Sequence, residues 1–594
     1  MEENYKERYK ERYLKYKLKY LNEKKKGGKI KIQQSQQKVY IDIDSDEDLK
    51  KIDEYNTNGY KIIINRINNK ILINKIIELL KKNYNILYLN INVCSGNCNI
   101  DMDSLSEALK VNTSLKRFEL SYNLEIQDFS PLFNGLAQNS TITELNLDNT
   151  NISELGYSFS HFIASNSTIK SINLGQSNIN TIRDTFSIAL GCNSSLTSLK
   201  LNNNKIDEEG LENLSKGLKV NSSLTYLNLS VNNIDDGKLE KFSDCLGVNS
   251  SLTHLNLSIN DIGDGGLKNL SEGLVVNSSL THLNLKYNHI SDKGLEDLSE
   301  GLKYNSSLTE LILSENKIED ITKISETLKI NSSLIKLDLN HNKIYEGLEI
   351  LTEALINNFS LFYLDLSWND ITNKGLTYFL GDVLKVNYSL TYLNLDGNKI
   401  DDEGLKNISE GLKINSSLTS LGLGVNDISY IGIEKLSESL KINSSLTYLN
   451  LESDELGDEG LKKLSEGLKV NTSLIYLNLF HNKINNISSL SEALKVNSSL
   501  AYLNISHNDI NDIYPLAEAL KVNSSLVELN LSSCNIQKNI DELAYALRIN
   551  PSLTKINLYG NINIMKKKSK FINDIFGQKQ NQQGNTTLIQ INFN

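Results

Sequence analysis

The sequence contains few of the residue types that usually divide or cross-link a chain. Its 594 residues include three prolines, one tryptophan, three methionines and five cysteines. So few prolines argue against proline-rich linkers between separate domains, and so few, scattered cysteines argue against a disulfide framework. No apolar run approaches the roughly 18 residues of a membrane-spanning helix. We therefore expect one continuous, soluble body with reduced thiols, located in the cytoplasm and without a membrane span.

The charge of the chain is unevenly distributed. The sequence has 62 Lys and Arg against 72 Asp and Glu, a net charge of −10. Residues 1–30 hold eleven Lys or Arg and five Glu, a net charge of +6, which leaves −16 for residues 31–594. Binding to nucleic-acid phosphates requires a basic face. An acidic body therefore predicts no nucleic-acid partner.

Residues 1–30 form a basic leader rich in Tyr and Lys. Its tyrosines are spaced as on one face of a helix: Tyr5, Tyr9, Tyr13, Tyr16 and Tyr20. A leader of this composition that ends in Gly27-Gly28 resembles N-terminal segments on many proteins of giant nucleocytoplasmic DNA viruses. The resemblance implies a targeting, packaging or anionic-surface role, and the alternative is a solvated basic tail. No apolar signal-peptide segment is visible in the leader.

One sequence unit recurs along most of the chain. Three copies in register begin at Asn221, Asn249 and Asn277, with a period of 28 residues. Each unit is anchored by the apolar residue that follows an Asn-x-Ser/Thr step. Eighteen anchors follow one another at spacings of 26 to 29 residues: Ile86, Leu115, Ile142, Ile169, Leu196, Leu224, Leu252, Leu280, Leu308, Leu334, Leu361, Leu390, Leu418, Leu446, Leu474, Leu500, Leu526 and Leu553.

Each unit changes its hydrophobic period halfway. Leu283 and Leu285 alternate as in a half-buried strand, whereas Leu295, Leu298 and Leu302 recur at the spacing of one helical face. A single strand and helix cannot bury these leucines, so the units must stack, strand beside strand and helix beside helix. The sequence predicts an α/β solenoid of horseshoe form, with parallel strands on the concave face and helices on the convex face.

Polar residues mark the ends of these predicted elements. Asn288 and its counterparts are expected to satisfy the turn backbone with their amides. Side-chain N-caps are predicted at Asp236, Asp264, Asp292, Asn373, Asp402 and Asp458. Asn305 and its counterparts are expected to end the helices in the left-handed conformation. Gly301 predicts close helix–helix approach. Shorter helices are expected in the 26-residue units without a Gly-Leu step, which begin at Leu308, Leu474 and Leu500.

The unit from Leu280 to Leu302 follows the pattern Leu-x-x-Leu-x-Leu-x-x-Asn-x-Ile-x-Asp-x-Gly-Leu-x-x-Leu-x-x-x-Leu. This pattern resembles the ribonuclease-inhibitor type of leucine-rich repeat, which also occurs in NOD-like receptors and in the Ran GTPase-activating protein. The resemblance covers about residues 83–560 and implies a leucine-rich-repeat fold, but these relatives share the scaffold and not the partner. Departures at the Asn position are Cys94, Thr150, Ser177, Asp454 and Cys534.

The chain divides into four segments on this basis. Residues 1–30 are the leader, and residues 31–82 are a polar segment and N-terminal cap, with strands expected near 39–42 and 60–65 and a helix over 72–82. Residues 83–565 hold about eighteen repeats. Residues 566–594 are a polar loop and C-terminal cap with a closing strand over 588–593. Capping is expected because the end repeats would otherwise expose the core.

No pattern of catalysis is recognisable in the sequence. Nucleotide-binding loops and hydrolase or zinc-protease motifs are missing, so we predict no enzyme, no catalytic residue and no cofactor. Cys94 and Cys98 have no second Cys or His pair nearby, so no metal site is predicted. The resemblance to the Ran activator offers GTPase activation as an alternative, with Arg117 the nearest candidate for its arginine. The Asn-x-Ser/Thr steps are also glycosylation sequons, for which a structural role is favoured.

The candidate binding residues are those that the strands turn toward the concave face. The residue before the second Leu of each unit forms one row: Tyr226, His254, His282, Glu310, Lys336, Tyr363, Tyr392, Ser420, Tyr448, Tyr476 and Tyr502. The residue before the turn Asn forms another: Tyr287, Glu315, His341, Trp368, His481 and His507. Tyr and Trp commonly anchor protein interfaces. The alternative is that the tyrosines only stack across strands.

Acidic residues accompany these rows: Glu310, Glu315, Asp338, Asp365, Asp396 and Glu452. They favour a basic patch on the partner. We predict a non-enzymatic scaffold that binds a protein on the concave face, centred on Lys336, Asp338, His341, Tyr363, Asp365, Trp368, Tyr392 and Asp396. The alternatives are a GTPase activator of the Ran type, a viral effector that mimics or blocks a host repeat-containing regulator, and a structural virion component.

Overall fold

The computed structural model describes residues 30–33, 38–43, 46–57, 61–67, 70–92, 100–121, 128–372, 380–576 and 590–593. Residues 1–29 of the leader, Cys94, Cys98 and Asn373 lie outside the described residues. The chain forms two compact units, Met1–Asn232 and Asn233–Asn594. In both units short strands alternate with helices, as the change of hydrophobic period predicts.

Strands and helices follow one another along the described residues of the first unit. Its strands are β1 Ile30–Gln33, β2 Lys38–Ile43, β3 Lys61–Ile67, β4 Ile86–Asn92, β5 Arg117–Ser121, β6 Glu144–Asn146, β7 Glu154–Leu155, β8 Ser171–Asn173, β9 Thr181–Ile182, β10 Ser198–Lys200 and β11 Tyr226–Asn228. Its helices are α1 Asp46–Thr57, α2 Lys70–Lys81, α3 Met102–Val111, α4 Ser130–Gln138, α5 Tyr157–Ser165, α6 Asp184–Cys192 and α7 Glu208–Val220.

The elements of the second unit repeat this alternation. Its strands are β12 His254–Asn256, β13 His282–Asn284, β14 Glu310–Ile312, β15 Lys336–Asp338, β16 Tyr363–Asp365, β17 Tyr392–Asn394, β18 Ser420–Gly422, β19 Tyr448–Asn450, β20 Tyr476–Asn478, β21 Tyr502–Asn504, β22 Glu528–Asn530, β23 Lys555–Asn557 and β24 Gln590–Asn592. Its helices are α8 Asp236–Leu246, α9 Asp264–Val276, α10 Asp292–Leu302, α11 Thr322–Leu328, α12 Leu348–Asn357, α13 Leu380–Val386, α14 Asp402–Leu412, α15 Tyr430–Leu440, α16 Gly457–Leu468, α17 Ser488–Leu494, α18 Tyr514–Leu520, α19 Ile540–Ile549, α20 Ile562–Lys566 and α21 Lys568–Phe576.

The sheet of the first unit is parallel except at its start. Strand β1 is antiparallel to β2, and β2 then pairs in parallel with β3. The strands from β3 to β11 continue in parallel, and the two-residue strands β7 and β9 form a separate pair. Helices α1 and α2 follow β2 and β3, so the segment predicted as a cap already has the strand–helix alternation of the repeats.

The sheet of the second unit is parallel throughout, from β12 to β24. In a typical strand, the middle leucine is buried and the residues on either side are partly exposed. The alternation of side chains across a strand explains this pattern. Each unit is therefore an α/β solenoid of stacked strand–helix repeats, which confirms the predicted fold class. Among the described residues, no helix is long and apolar enough to cross a membrane.

The turn asparagines form the predicted ladder. Asn288 Nδ2 donates to the carbonyl oxygens of Leu257, at 3.2 Å, and Leu285, at 2.9 Å. Its Oδ1 accepts from the backbone N–H of Ile262, at 3.1 Å. One buried amide thus satisfies backbone groups of two successive repeats, which an apolar residue could not do.

The predicted N-caps are wrong in position. Asp264 is the first residue of α9, and the preceding Gly263 makes no side-chain cap. Because Asp264 has helical backbone, its carboxylate does not fold back over its own helix. Its Oδ1 instead accepts from the N–H groups of Ser291, at 2.9 Å, and Gly294, at 3.0 Å, which begin the next helix. Asp402 does the same with Ser429 and Gly432. These carboxylates join consecutive repeats.

The predicted left-handed helix ends are also wrong. Asn277 follows α9 with an extended backbone, φ −71° and ψ 131°. Its Nδ2 donates to the carbonyl oxygens of Leu246, at 2.7 Å, and Asn249, at 3.1 Å. The left-handed residues lie one position before the ladder asparagine, as at His341 and Trp368. Asn277 is buried, so the sequon asparagine has a structural role.

Two predictions about the helices are confirmed. A β-carbon at Gly301 would lie 2.8 Å from the carbonyl oxygen of Ser271 on the neighbouring helix, so the close approach requires glycine. Helices α11, α17 and α18 each have seven residues, whereas α9 has thirteen. These are the helices of the 26-residue units.

Candidate binding surface

The first residues of neighbouring strands in the second unit are in contact with one another. His254 and His282 stack with ring centroids 3.9 Å apart. His282 Nε2 lies 3.6 Å from a carboxylate oxygen of Glu310, and Lys336 Nζ pairs with Glu310 at 2.9 Å. The desolvation of His254, together with its neighbour His282, lowers the pKa of the His254 imidazole. The row predicted from the sequence is thus a continuous line of side-chain contacts from His254 to Lys336.

The line continues into a tyrosine pair. Lys336 Nζ lies 5.0 Å from the ring centroid of Tyr363, within cation–π distance. Tyr363 and Tyr392 stack with centroids 4.0 Å apart and ring planes 7° apart. Burial and nearby Asp365 raise the pKa of Tyr363, so its hydroxyl stays protonated. We call the line from His254 to Tyr392 the first ladder.

A second ladder begins two strands further along. Tyr448 and Tyr476 stack at 4.6 Å, and Tyr476 and Tyr502 lie 6.3 Å apart. Ser420, on the strand between the two ladders, interrupts the row. Tyr226, at the start of β11, belongs to the first unit.

Two aspartates lie beside the first ladder. Asp365 is buried, and its Oδ1 accepts hydrogen bonds from the N–H of Ser367, at 3.0 Å, and from its hydroxyl, at 2.6 Å. Asn394 Nδ2 donates to the other oxygen at 3.3 Å. Asp338 lies on the adjacent strand, where burial raises the pKa of its carboxyl. Both groups are hydrogen-bonded by neutral donors.

Asp396 follows strand β17, and its carboxylate accepts hydrogen bonds from the next two repeats. Its Oδ1 accepts from the N–H of Gly424 at 2.7 Å, and its Oδ2 accepts from Asn450 Nδ2 at 2.9 Å. Burial, with smaller contributions from Glu452 and Asp365, raises the pKa of Asp396 to about 6. Glu452 itself accepts from Asn478 Nδ2 at 2.7 Å.

These four carboxylates form no close ion pair within the described part of the chain. No Lys, Arg or His nitrogen there lies within 4.0 Å of a carboxylate oxygen of Asp338, Asp365, Asp396 or Glu452, whereas Glu315 pairs with Lys286 at 2.9 Å. The surface around Tyr392 therefore carries carboxylates without an ion-pair partner beside aromatic rings, and Lys286 and Lys336 act on Asp338 only from a longer distance.

The residues before the ladder asparagines lie in turns beyond the strands. Trp368 is 46% exposed, and its indole stacks on His341 with centroids 5.3 Å apart. His481 and His507 occupy the same position in later repeats, where the ring of Phe480 lies 4.8 Å from His507. Of the predicted centre, Lys336, Tyr363 and Tyr392 lie on three adjacent paired strands.

An apolar patch at the other end of these strands is not among the residues predicted from the sequence. Phe359 is 60% exposed, Tyr388 58%, Phe362 44% and Ile335 43%. Phe362 N–H donates to the Ile335 carbonyl at 2.9 Å, and the two residues directly precede the adjacent strands β16 and β15. Most other repeats of this unit have Ser and Thr at these positions, such as Ser278 and Thr281. This departure from the repeat pattern is the sequence signal by which the patch could have been predicted. We call these four residues the edge patch.

The candidate arginine of a GTPase activator lies in the first unit. Arg117 pairs with Glu119 and lies 3.4 Å from Glu144, and its guanidinium is 5.1 Å from the ring centroid of Tyr88. Its charge is therefore already engaged. In the part of the chain that the structure describes, no group of three or more His, Cys, Asp or Glu side chains could hold a metal ion.

Comparisons with known proteins agree with the repeat. A family model described as "Leucine Rich repeat" matches residues 192–215, 220–242, 248–271, 276–299, 304–321, 357–380, 386–409, 443–465, 470–487, 496–513 and 522–539. No curated protein matches the chain.

Two solved structures illustrate the similarity. An internalin, InlF, from Listeria monocytogenes is 23% identical over 68% of this chain and 89% of its own, with a TM-score of 0.38. The actin-binding site 2 of leiomodin-1 is 28% identical over 22% of this chain and 76% of its own, with a TM-score of 0.21. The eleven segments that match the leucine-rich-repeat model lie between residues 192 and 539, in the part of the chain that consists of the strand–helix repeats described above.

Proposed function

We propose that the second unit binds a protein partner on its strand face, around Tyr363, Tyr392 and Trp368. Leucine-rich repeats are typical protein-interaction modules, and stacked repeats present extended binding surfaces. The observation that supports this location is the Tyr363–Tyr392 stack at 4.0 Å beside carboxylates that form no ion pair within 4.0 Å. The proposal involves no enzymatic step.

The chemistry of this face indicates what the partner presents. Tyr and Trp provide large contact areas with few rotatable bonds, which limits the entropy lost on binding. Asp338 and Asp396 have raised pKa values because burial disfavours their charged forms. A basic group on the partner would stabilise those charges, so we propose a partner with a basic patch.

Affinity capture with the full chain, followed by mass spectrometry, identifies the partner and tests the location. Trp368→Ala combined with Tyr392→Ala should weaken capture at least tenfold, because truncating a buried interface aromatic commonly costs about 2 kcal/mol or more. The matched control is Tyr430→Ala with Tyr514→Ala, two half-exposed tyrosines on helices. Unchanged capture by the first variant contradicts the location. A fall in melting temperature parallel to the loss of capture favours the stacking alternative.

We propose further that the repeats are of the ribonuclease-inhibitor type and that the protein acts in the cytoplasm. The helix in each repeat, such as the eleven residues of α10, supports the subtype. The effector and virion-component alternatives differ from the scaffold proposal in the identity of the partner, which the same capture experiment reveals.

GTPase activation is tested separately. An arginine supplied to GTP must be free to reach the phosphates, whereas Arg117 pairs with Glu119 and Glu144. We expect no acceleration of phosphate release from small GTPases by the full chain. Acceleration that is lost in Arg117→Ala would replace the scaffold proposal with the activator.

A further inference from the structure

The first and second ladders leave a slot between them. Tyr392, Ser420 and Tyr448 occupy the same register position on three adjacent parallel strands. Neighbouring strands lie about 4.8 Å apart, so the backbones of Tyr392 and Tyr448 are roughly 10 Å apart. Between them lies only the small side chain of Ser420. That spacing admits one inserted side chain in contact with both rings. The slot is the space bounded by these three residues.

Two carboxylates converge at one end of the slot. The next two positions on this face are Gly422 and Gly424, over which neighbouring side chains lean. A β-carbon at Gly422 would lie 2.8 Å from Asp396 Oδ1, and one at Gly424 would lie 2.7 Å from Glu452 Cγ. Asp396 approaches from one neighbouring repeat and Glu452 from the other. The amide of Asn394 also lies over Gly422, so the floor of the slot is polar.

The first ladder contains the interaction that the slot lacks. Lys336 lies on the same row, where its Nζ pairs with Glu310 at 2.9 Å and contacts the Tyr363 ring at 5.0 Å. A cation between a carboxylate and a tyrosine face is stabilised by both. At the slot the row position is Ser420, while the rings and carboxylates are present. The missing element is the cation.

We propose that the slot binds an arginine side chain of the partner protein. This inference rests on the proposed function. The aliphatic stem of the arginine lies between Tyr392 and Tyr448, and its guanidinium reaches Asp396 and Glu452. Arginine fits better than lysine because its planar group stacks on aromatic rings and hydrogen-bonds to two carboxylates at once. The match of charge and shape selects a basic protein segment as the occupant.

Ser420→Tyr tests the proposal by closing the slot. A tyrosine at this position would join the two ladders, as Tyr476 already lies between Tyr448 and Tyr502, so the fold should be retained. A phage-displayed library of random dodecapeptides is panned against the full chain. We expect enriched peptides to contain arginine and to bind Ser420→Tyr at least tenfold more weakly. Replacing that arginine with neutral citrulline should cause a similar loss.

The control is Ser198→Tyr, the same strand position in the first unit. It should leave peptide binding unchanged. The proposal would be overturned if no peptide from the library bound Ser420→Tyr more weakly than the unchanged protein. It would also be overturned if the peptides that do so contained no cationic residue. Partner capture that is weakened by Trp368→Ala but not by Ser420→Tyr also overturns the slot and leaves the proposed function standing. Capture unaffected by either change contradicts the proposed function itself.

Discussion

The indole of Trp368 packs directly on the backbone of Gly397 in the next repeat. A β-carbon at Gly397 would lie 2.5 Å from Trp368 Cδ2, and the residue has a left-handed backbone with φ +66°. His341 stacks on Trp368 from the preceding repeat, at 5.3 Å. The single tryptophan is therefore held between two repeats and remains half exposed.

Replacing Gly397 with Ala should displace the indole. We expect faster acrylamide quenching of the fluorescence of Trp368, because the ring can no longer lie on the backbone, and a lower melting temperature. The control is Gly457→Ala, since Gly457 also has a positive φ, +61°, but nothing lies within 4 Å of its β-carbon position. The loss of stability in Gly457→Ala measures the cost of backbone strain alone, about 1 kcal/mol. Equal destabilisation by the two changes would contradict the contact.

Asp454 occupies the turn position at which most other repeats have an asparagine amide. It is 2% exposed, its Oδ1 accepts from the N–H of Asn426 at 2.8 Å, and its Oδ2 has no hydrogen-bond partner. At the preceding position, Asn426 Nδ2 donates to the carbonyl oxygens of Leu395 and Leu423. We expect Asp454→Asn to raise stability by about 1 to 3 kcal/mol at pH 7.5, because a buried group regains its hydrogen bonds. The shift in urea midpoint measures this gain.

The gain should depend on pH. Burial raises the pKa of Asp454 well above its usual value. The contribution of such a carboxyl to stability is complete below its unfolded pKa, near 3.8, and is lost as pH rises toward the folded pKa. The advantage of Asp454→Asn should thus be smaller at pH 4.5 than at pH 7.5. The reverse change, Asn482→Asp, should destabilise. An equal gain at both pH values would contradict the ionisation argument.

The edge patch should contribute to binding and not to folding. The triple change Phe359→Ser, Phe362→Thr and Tyr388→Ser restores the residues of the other repeats. Each side chain is largely exposed, so we expect changes in stability under about 0.5 kcal/mol each, and at least tenfold weaker partner capture because contiguous apolar patches mark interaction sites. The control is Val496→Ser with Val522→Ser, two exposed apolar residues elsewhere. Equal effects of both variants would remove any special role for the patch.

Asp264 should stabilise the stacking of α9 on α10. Its carboxylate accepts hydrogen bonds from two backbone N–H groups and from the hydroxyl of Ser291, at 2.6 Å. Losing a capping side chain costs about 1 kcal/mol, with a range of about 0.5 to 2. We expect Asp264→Ala to lower the unfolding free energy by that amount. Glu272→Ala, an exposed acidic residue of the same helix, should have almost no effect in the same denaturation experiment.

The sequence is sufficient to predict the fold because each repeat carries the pattern of its own core. Leu283 and Leu285 alternate, Leu295 and Leu298 follow the helical period, and their burial confirms both patterns. Hydrophobic period does not resolve single backbone positions. The sequence pattern therefore predicts the left-handed residue at the helix end. In the structure the left-handed residue directly precedes the turn asparagine, as at Trp368.

The candidate surface is only partly predictable from the sequence. The row that includes Tyr363 and Tyr392 follows from strand positions, which the parallel register aligns. The contact between Asp396 and Asn450 joins residues two repeats apart, and no pattern within one repeat encodes it. Gly422 and Gly424 are visible in the sequence as positions without a side chain, where the preceding repeat has Asn394 and Asp396. Their role depends on the neighbouring side chains that lie over them.

The buried sequon asparagines restrict how the protein can be produced. Asn221 Nδ2 donates to the carbonyl oxygens of Leu190, at 2.7 Å, and Asn193, at 3.0 Å, and only 3% of the residue is exposed. An N-linked oligosaccharide would be attached at that nitrogen, where it removes a donor and cannot fit among packed repeats. Oligosaccharide transfer to the nascent chain in a eukaryotic secretory pathway would therefore trap it unfolded. Bacterial cytosol, where no such transfer occurs, is the suitable expression compartment.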